Sequence, residues 1–214
     1  MTSVVRFEEW QEPTGTTAAT TDASGNVTFD NDVTVSGGAT VSGDLTVTGN
    51  MTSANQGLTL VRSVTPDTNV SSVTVSNVFS NDFRNYKIQY FGGYGSTISA
   101  LNLTLGSSST AYYWAYSYIS YSGSTVTNSG NNVSNFTNVG EISATNGNMM
   151  DCDIYGPNIA KPTAITWHMS GQSVNLWGAG RHGPSSQYTS FTLTPSSGTL
   201  SAGLLQVYGY NNGA

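Results

Sequence analysis

The sequence predicts an all-β protein in three parts. An N-terminal anchoring segment occupies residues 1–24, and a short hexad-repeat stalk of trimeric β-helix or β-prism type occupies 25–56. An antiparallel β-sandwich head of jelly-roll-like type fills 57–214. Three observations carry this reading. Residues 25–54 divide into five six-residue repeats, GNVTFD, NDVTVS, GGATVS, GDLTVT and GNMTSA. From Gly57 onward, short runs with two-residue alternation are separated by Gly, Asn, Ser or Pro. Lys, Glu and Leu are scarce, and no stretch of about ten residues or more keeps a helical period.

The stalk follows from the pattern inside each hexad. The fourth place is Thr28, Thr34, Thr40, Thr46 or Thr52, and apolar residues stand at the third place throughout and at the fifth until Ser53. Two apolar side chains flanking a threonine make a short strand with one apolar face. The Gly, Asn or Asp that opens each hexad turns the chain. A plain hairpin or meander is the alternative, and five aligned copies weigh against it. A single-chain β-helix uses about three hexads per coil, so five hexads give fewer than two coils with both ends open. Three copies around one axis close that core and remove the free edges. Val27, Phe29, Val33, Val35, Ala39, Val41, Leu45 and Val47 then form the stalk core of a homotrimer, with Thr34, Thr40 and Thr46 outside. Asp30, Asp32 and Asp44 fit turn positions, with an ion on the three-fold axis as the other role.

Ahead of the stalk, Phe7 and Trp10 stand among Glu8, Glu9 and Glu12. Two large apolar side chains on an acidic, loose segment suit an anchor to another protein, and capping of the stalk is the other reading.

Composition bounds the function. Charged residues are 8% of the chain and the net charge is −6, so no basic stripe tracks a phosphate backbone and nucleic acid is not a partner. No apolar run is long enough for membrane insertion, and the opening residues lack the apolar core of a signal peptide. The single cysteine, Cys152, excludes an internal disulfide and a cysteine-built zinc site. Low charge with modest hydrophobicity often means disorder, but 12 Tyr, 4 Trp and 7 Phe supply a core.

In the head, nine stretches beginning at Leu58 read as strands, and MMDCDIYG at 149–156 reads as another. The span 123–147 reads as a long exposed loop with at most one short strand. Tyr112, Trp114, Tyr116 and Tyr118 share one strand face, with Tyr113 opposite. That face is either packing within the assembly or a platform for sugars, whose apolar faces stack on aromatic rings. GAGRHGPSS places Arg181 and His182 in a glycine-rich turn, as contact residues or as a plain surface turn. Asp151 and Asp153 lie on one side of their strand and Cys152 on the other, the arrangement that could serve glycoside hydrolysis. Adjacent same-face acids are common in proteins that are not enzymes. No nucleophile elbow, zinc helix, P-loop or dinucleotide fingerprint occurs, so no enzyme, metal or cofactor is assigned.

PTGTTAATTDASGNVTF at 13–29, the repeats VTVSGG and LTVTGN, VFSNDFRNYKIQYFGG at 78–93 and FTLTPSSGTLSAGLLQVYGYNN at 191–212 resemble small trimeric fibre proteins of tailed bacteriophages, especially cyanobacterial and marine phages. The resemblance covers most of the chain. It implies a homotrimeric virion structural protein, on tail or capsid. Its N-terminus would dock to other virion proteins, and its head would face outward, often to bind host-surface glycan. The stalk is shorter than in long receptor-binding fibres, which keeps a second role in view, a capsid or tail decoration protein without a receptor. A polysaccharide-cleaving enzyme built on Asp151 and Asp153 is the third.

Overall fold

The computed structural model describes residues 9–11, 17–24, 26–29, 40, 42, 57–144 and 149–211, and all helices or strands among them are β-strands. The chain divides into two compact units, Met1–Met51 and Thr52–Ala214.

In the first unit, β1 (Glu9–Gln11), β2 (Thr17–Thr21) and β3 (Val27–Phe29) form an antiparallel sheet in that order. Residues assigned from sequence to a loose anchor therefore pair with the first hexad, Thr20 opposite Thr28. The turn between β2 and β3 is an Asx turn. The Asp22 carboxylate accepts hydrogen bonds from the backbone N–H groups of Ser24 and Asn26, both at 2.9 Å. Val27 and Phe29 are 55% and 51% exposed in the single chain. Phe7, the side chain of Trp10, and Val33, Val35, Ala39, Val41, Leu45 and Val47 lie outside the described residues.

The second unit is built on two facing antiparallel sheets. Its strands are β4 (Leu58–Val64), β5 (Val73–Val75), β6 (Asn85–Phe91), β7 (Tyr94–Gly95), β8 (Ser99–Leu105), β9 (Tyr112–Ser120), β10 (Thr125–Val133), β11 (Phe136–Ile142), β12 (Met149–Tyr155), β13 (Thr163–Ser170), β14 (Val174–His182), β15 (Phe191–Pro195), β16 (Leu200–Ser201) and β17 (Leu204–Tyr210). The larger sheet has eight strands in the order β10-β9-β14-β13-β12-β6-β17-β4, and the smaller has four, β11-β8-β15-β5; β7 and β16 pair separately. The chain shuttles between sheets, so each hydrophobic face is buried by neighbours distant in sequence. Alternation decides which side chains go inside. Tyr86, Ile88 and Tyr90 of β6, Leu101, Leu103 and Leu105 of β8, and Ile165, Trp167 and Met169 of β13 all enter one core.

Glycines make room for the largest core rings. Gly178 is the cross-strand partner of Trp167 and Gly130 that of Trp114, and each indole lies where a Cβ of its partner would stand. Both indoles donate to backbone carbonyls, Trp114 to Asn135 and Trp167 to Asn138, each at 3.0 Å.

The span 123–147 is not a loop with one short strand: it carries all of β10 and β11. β10 is an edge strand exposed on nearly every residue, so it has no reason to alternate. β11 shifts register between Phe136 and Gly140, with Asn138 at φ 59°, which breaks the two-residue period.

Candidate functional site

The outer face of the eight-stranded sheet carries the head's most distinctive surface chemistry. Register aligns side chains in rows across it. One row runs Gln206, Gln89, Asp151, His168, Trp177, Ser117 and Thr127, and the next Tyr208, Lys87, Asp153, Thr166, Ala179, Ala115 and Ser129. Described residues of the smaller sheet all pair on the other side of the core, so Trp177 remains 49% exposed.

The imidazole of His168 stacks on Trp177, with centroids 5.4 Å apart and planes inclined by 22°. Beside the indole, small side chains leave a cleft of about 710 Å³. Ala115, Ala179, Ser117, Thr127 and Ser129 line it with Trp177. A flat ring held by its neighbour, next to a trough of hydroxyls and methyls, matches the apolar face and polar rim of a sugar.

The adjoining half of the face is an ion network. The ammonium of Lys87 contacts Asp151 and lies 3.1 Å from Asp153. The Gln89 amide donates to Asp151 at 3.1 Å, and the Tyr210 hydroxyl donates to Asp153. Partial burial disfavours the charged ammonium, but the hydrogen bonds from Lys87 to both aspartates outweigh it and raise its pKa. Burial and then the bond to Asp153 push the Tyr210 phenol up to about 12. The sequence-level pairing of Asp151 with Asp153 thus becomes two carboxylates bridged by one cation. Among the described residues no cluster of His, Cys, Asp or Glu is arranged to hold a metal. Cys152, on the opposite strand face, is fully buried, and burial holds its thiol well above the usual range.

Several residues taken from sequence as contact candidates lie elsewhere. His182 is not in a turn but ends β14, and it is fully buried. Its Nε2 donates to the Thr110 carbonyl at 3.1 Å and lies 2.7 Å from Ser108 Oγ, so its Nδ1 accepts from the Tyr188 hydroxyl at 3.0 Å. Burial lowers its pKa and keeps the ring neutral. Tyr112 is also fully buried, set edge-on against Phe136 at 4.9 Å, and the Leu105 N–H donates to its hydroxyl at 2.8 Å. Trp114 is in the core. Tyr116 and Tyr118 continue this inward face half-buried, as a stacked ladder with centroids 5.3 Å from Trp114 to Tyr116 and 6.5 Å on to Tyr118. Of the candidates, Arg181 alone stands on the exposed outer face, its guanidinium 4.7 Å from the Tyr113 ring.

Sequence reasoning missed Trp177. The signal was parity: in SVNLWGAG, Leu176 and Trp177 must point to opposite faces, and Ala179, the next residue on the indole's face, leaves it uncrowded.

No protein-family model matches the chain, and no curated protein matches it. Two solved structures of infectious bursal disease virus show partial similarity. The Gt-strain structure is 15% identical over 90% of this chain and 50% of that chain, with a TM-score of 0.14. The Gx-strain structure is 17% identical over 72% of this chain and 41% of that chain, with a TM-score of 0.12. This chain thus spans half or less of those chains, and overlap at such scores defines no common fold.

Proposed function

We propose that this chain is a structural fibre or spike protein of a phage virion. It assembles as a homotrimer, docks to the particle by its N-terminus and presents a jelly-roll-like sandwich head to host-surface glycan. The observation that carries the head's role is Trp177, a half-exposed indole stacked on His168 and bordered by Ser117, Thr127 and Ser129. A flat indole beside a polar trough offers an apolar surface rimmed by hydroxyls, the chemistry that a sugar face needs. Assembly is supported by Val27 and Phe29, which lie exposed on the strand of the first repeat and become walls of a shared core in a trimer.

The test is a glycan microarray spanning bacterial surface polysaccharides, read with the full chain and with Trp177→Ala. The proposal expects a defined subset to bind and the variant to lose at least tenfold in apparent affinity. An array with no bound glycan, or binding that ignores the substitution, removes the glycan role and favours the decoration protein.

A further inference from the structure

A second site lies in the loops. Residues 76–84, between β5 and β6, meet 156–162, between β12 and β13, and 183–190, between β14 and β15. Hydrogen bonds tie the three together. Val78 N–H donates to Thr189 at 2.9 Å, Tyr188 N–H to Pro157 at 2.8 Å and Gly156 N–H to Arg84 at 3.0 Å. The Gln187 amide donates to the Asn158 carbonyl at 2.8 Å, and the Asn158 amide donates to the Ser80 carbonyl. Loops bound at so many points hold a fixed shape.

Two clefts of about 450 and 420 Å³ open here, and both are lined by Asn81 and Asn158. The first adds the polar groups of Asn77, Gln187 and Thr189, with Tyr188 as an apolar wall. The second adds Arg84 and Lys161, both exposed. The shared Asn158 is buried to 7% exposure, and its Oδ1 is an acceptor with no hydrogen-bond partner among the described residues. Such an atom costs stability unless a donor arrives. Neither Arg84 nor Lys161 has an ion pair among the described residues, and they are two of only six cations in the chain. Lys87, by contrast, is neutralised by two aspartates. The nearest acid in sequence is Asp82, whose carboxylate accepts from Ser80 Oγ at 2.9 Å.

We propose that this double cleft binds an acidic sugar unit of the hexuronate class. Its hydroxyls meet the side-chain amides of Asn77, Asn81 and Gln187, and its carboxylate pairs with Arg84 and Lys161. The assignment rests on the head being a glycan-binding module, but its residues are separate from the Trp177 face, so the two fail independently.

The experiment is saturation-transfer NMR on the full chain, with sodium glucuronate as probe and glucose as the neutral control. The expected result is saturable glucuronate binding, weakened by added salt, with little response to glucose. The double variant Arg84→Gln/Lys161→Gln should raise the glucuronate Kd tenfold or more, and Trp177→Ala should leave it unchanged. Asn81→Asp, on an exposed residue, should also weaken binding by placing a like charge at the shared wall. Glucuronate binding no better than glucose, or binding indifferent to loss of both cations, overturns the proposal. Loss with Trp177→Ala alone assigns the sugar to the sheet face and overturns it equally. A silent microarray with intact glucuronate binding would sink only the broader reading of the Trp177 face.

Discussion

Gly178→Ala should destabilise the head even though it exchanges glycine for alanine in a strand. Relieving glycine's backbone entropy alone would stabilise by about 0.5–1 kcal/mol. Against that, the new Cβ would stand 2.1 Å from Cε2 and 2.2 Å from Cζ2 of Trp167, where ordinary contact begins at 3.4 Å. The ring has little room to retreat. It is 3% exposed, sits 6.4 Å from Phe136 and is held by its bond to the Asn138 carbonyl at 3.0 Å. Overpacking of this kind costs about 1–3 kcal/mol, and losing the indole hydrogen bond adds about 1. The net loss is therefore about 1–3 kcal/mol, or a fall of about 3–10 °C in Tm for a domain of this size. The assay is thermal unfolding followed by near-UV circular dichroism, at one protein concentration for all variants. Gly183→Ala is the control, since its Cβ would meet Tyr113 at an ordinary 3.4 Å, and it should hold Tm level or raise it by the few degrees that the lost glycine entropy returns. A Gly178→Ala protein as stable as the parent would refute the glycine socket.

Other consequences can be measured in the same way. His182 has its pKa lowered by burial, so the unfolded chain takes up its proton first as pH falls. Its stabilising contribution is complete above about pH 6.5 and is lost as pH drops from there through the folded pKa. Urea midpoints should fall between pH 7 and 5.5, and His182→Gln should flatten that fall; equal slopes would contradict it. Lys87→Met leaves Asp151 and Asp153 as unneutralised neighbours and should cost about 1–2 kcal/mol at pH 7, between the values of exposed and buried pairs. A loss indifferent to added salt would argue for lost packing instead. Because its folded pKa is raised, Lys87 contributes fully below its unfolded value of 10.5 and loses that contribution only as pH rises beyond it.

The all-β character was legible because nothing in the chain keeps a helical period, and strands such as β6 and β8 alternate cleanly along a half-buried sheet. β10 and β11 were not legible. An edge strand exposed on both faces writes no pattern, and the register shift before Gly140 erases the pattern in β11. The aromatic run of β9 announced itself in sequence, but its dense face turned inward, because a row of large rings is the most economical filling for a core. His182 was misread because glycines around it suggested a turn. Gly178 and Gly180 are strand residues, emptied to admit Trp167 and the packing around Trp114 and Phe136. Trp177 drew no notice in sequence because one indole among small residues looks ordinary until register sets it beside His168. The loop clefts were beyond reach, since three connections distant in the chain must meet before Asn81 and Asn158 share a wall.

A three-chain spike is tested most directly by the solution mass of this chain, measured by multi-angle light scattering across a range of concentrations. The prediction is a single species of three times the 22.5 kDa chain mass, persisting on dilution. A mass of one chain at micromolar concentration would contradict it and leave Val27 and Phe29 as exposed residues without a shared core.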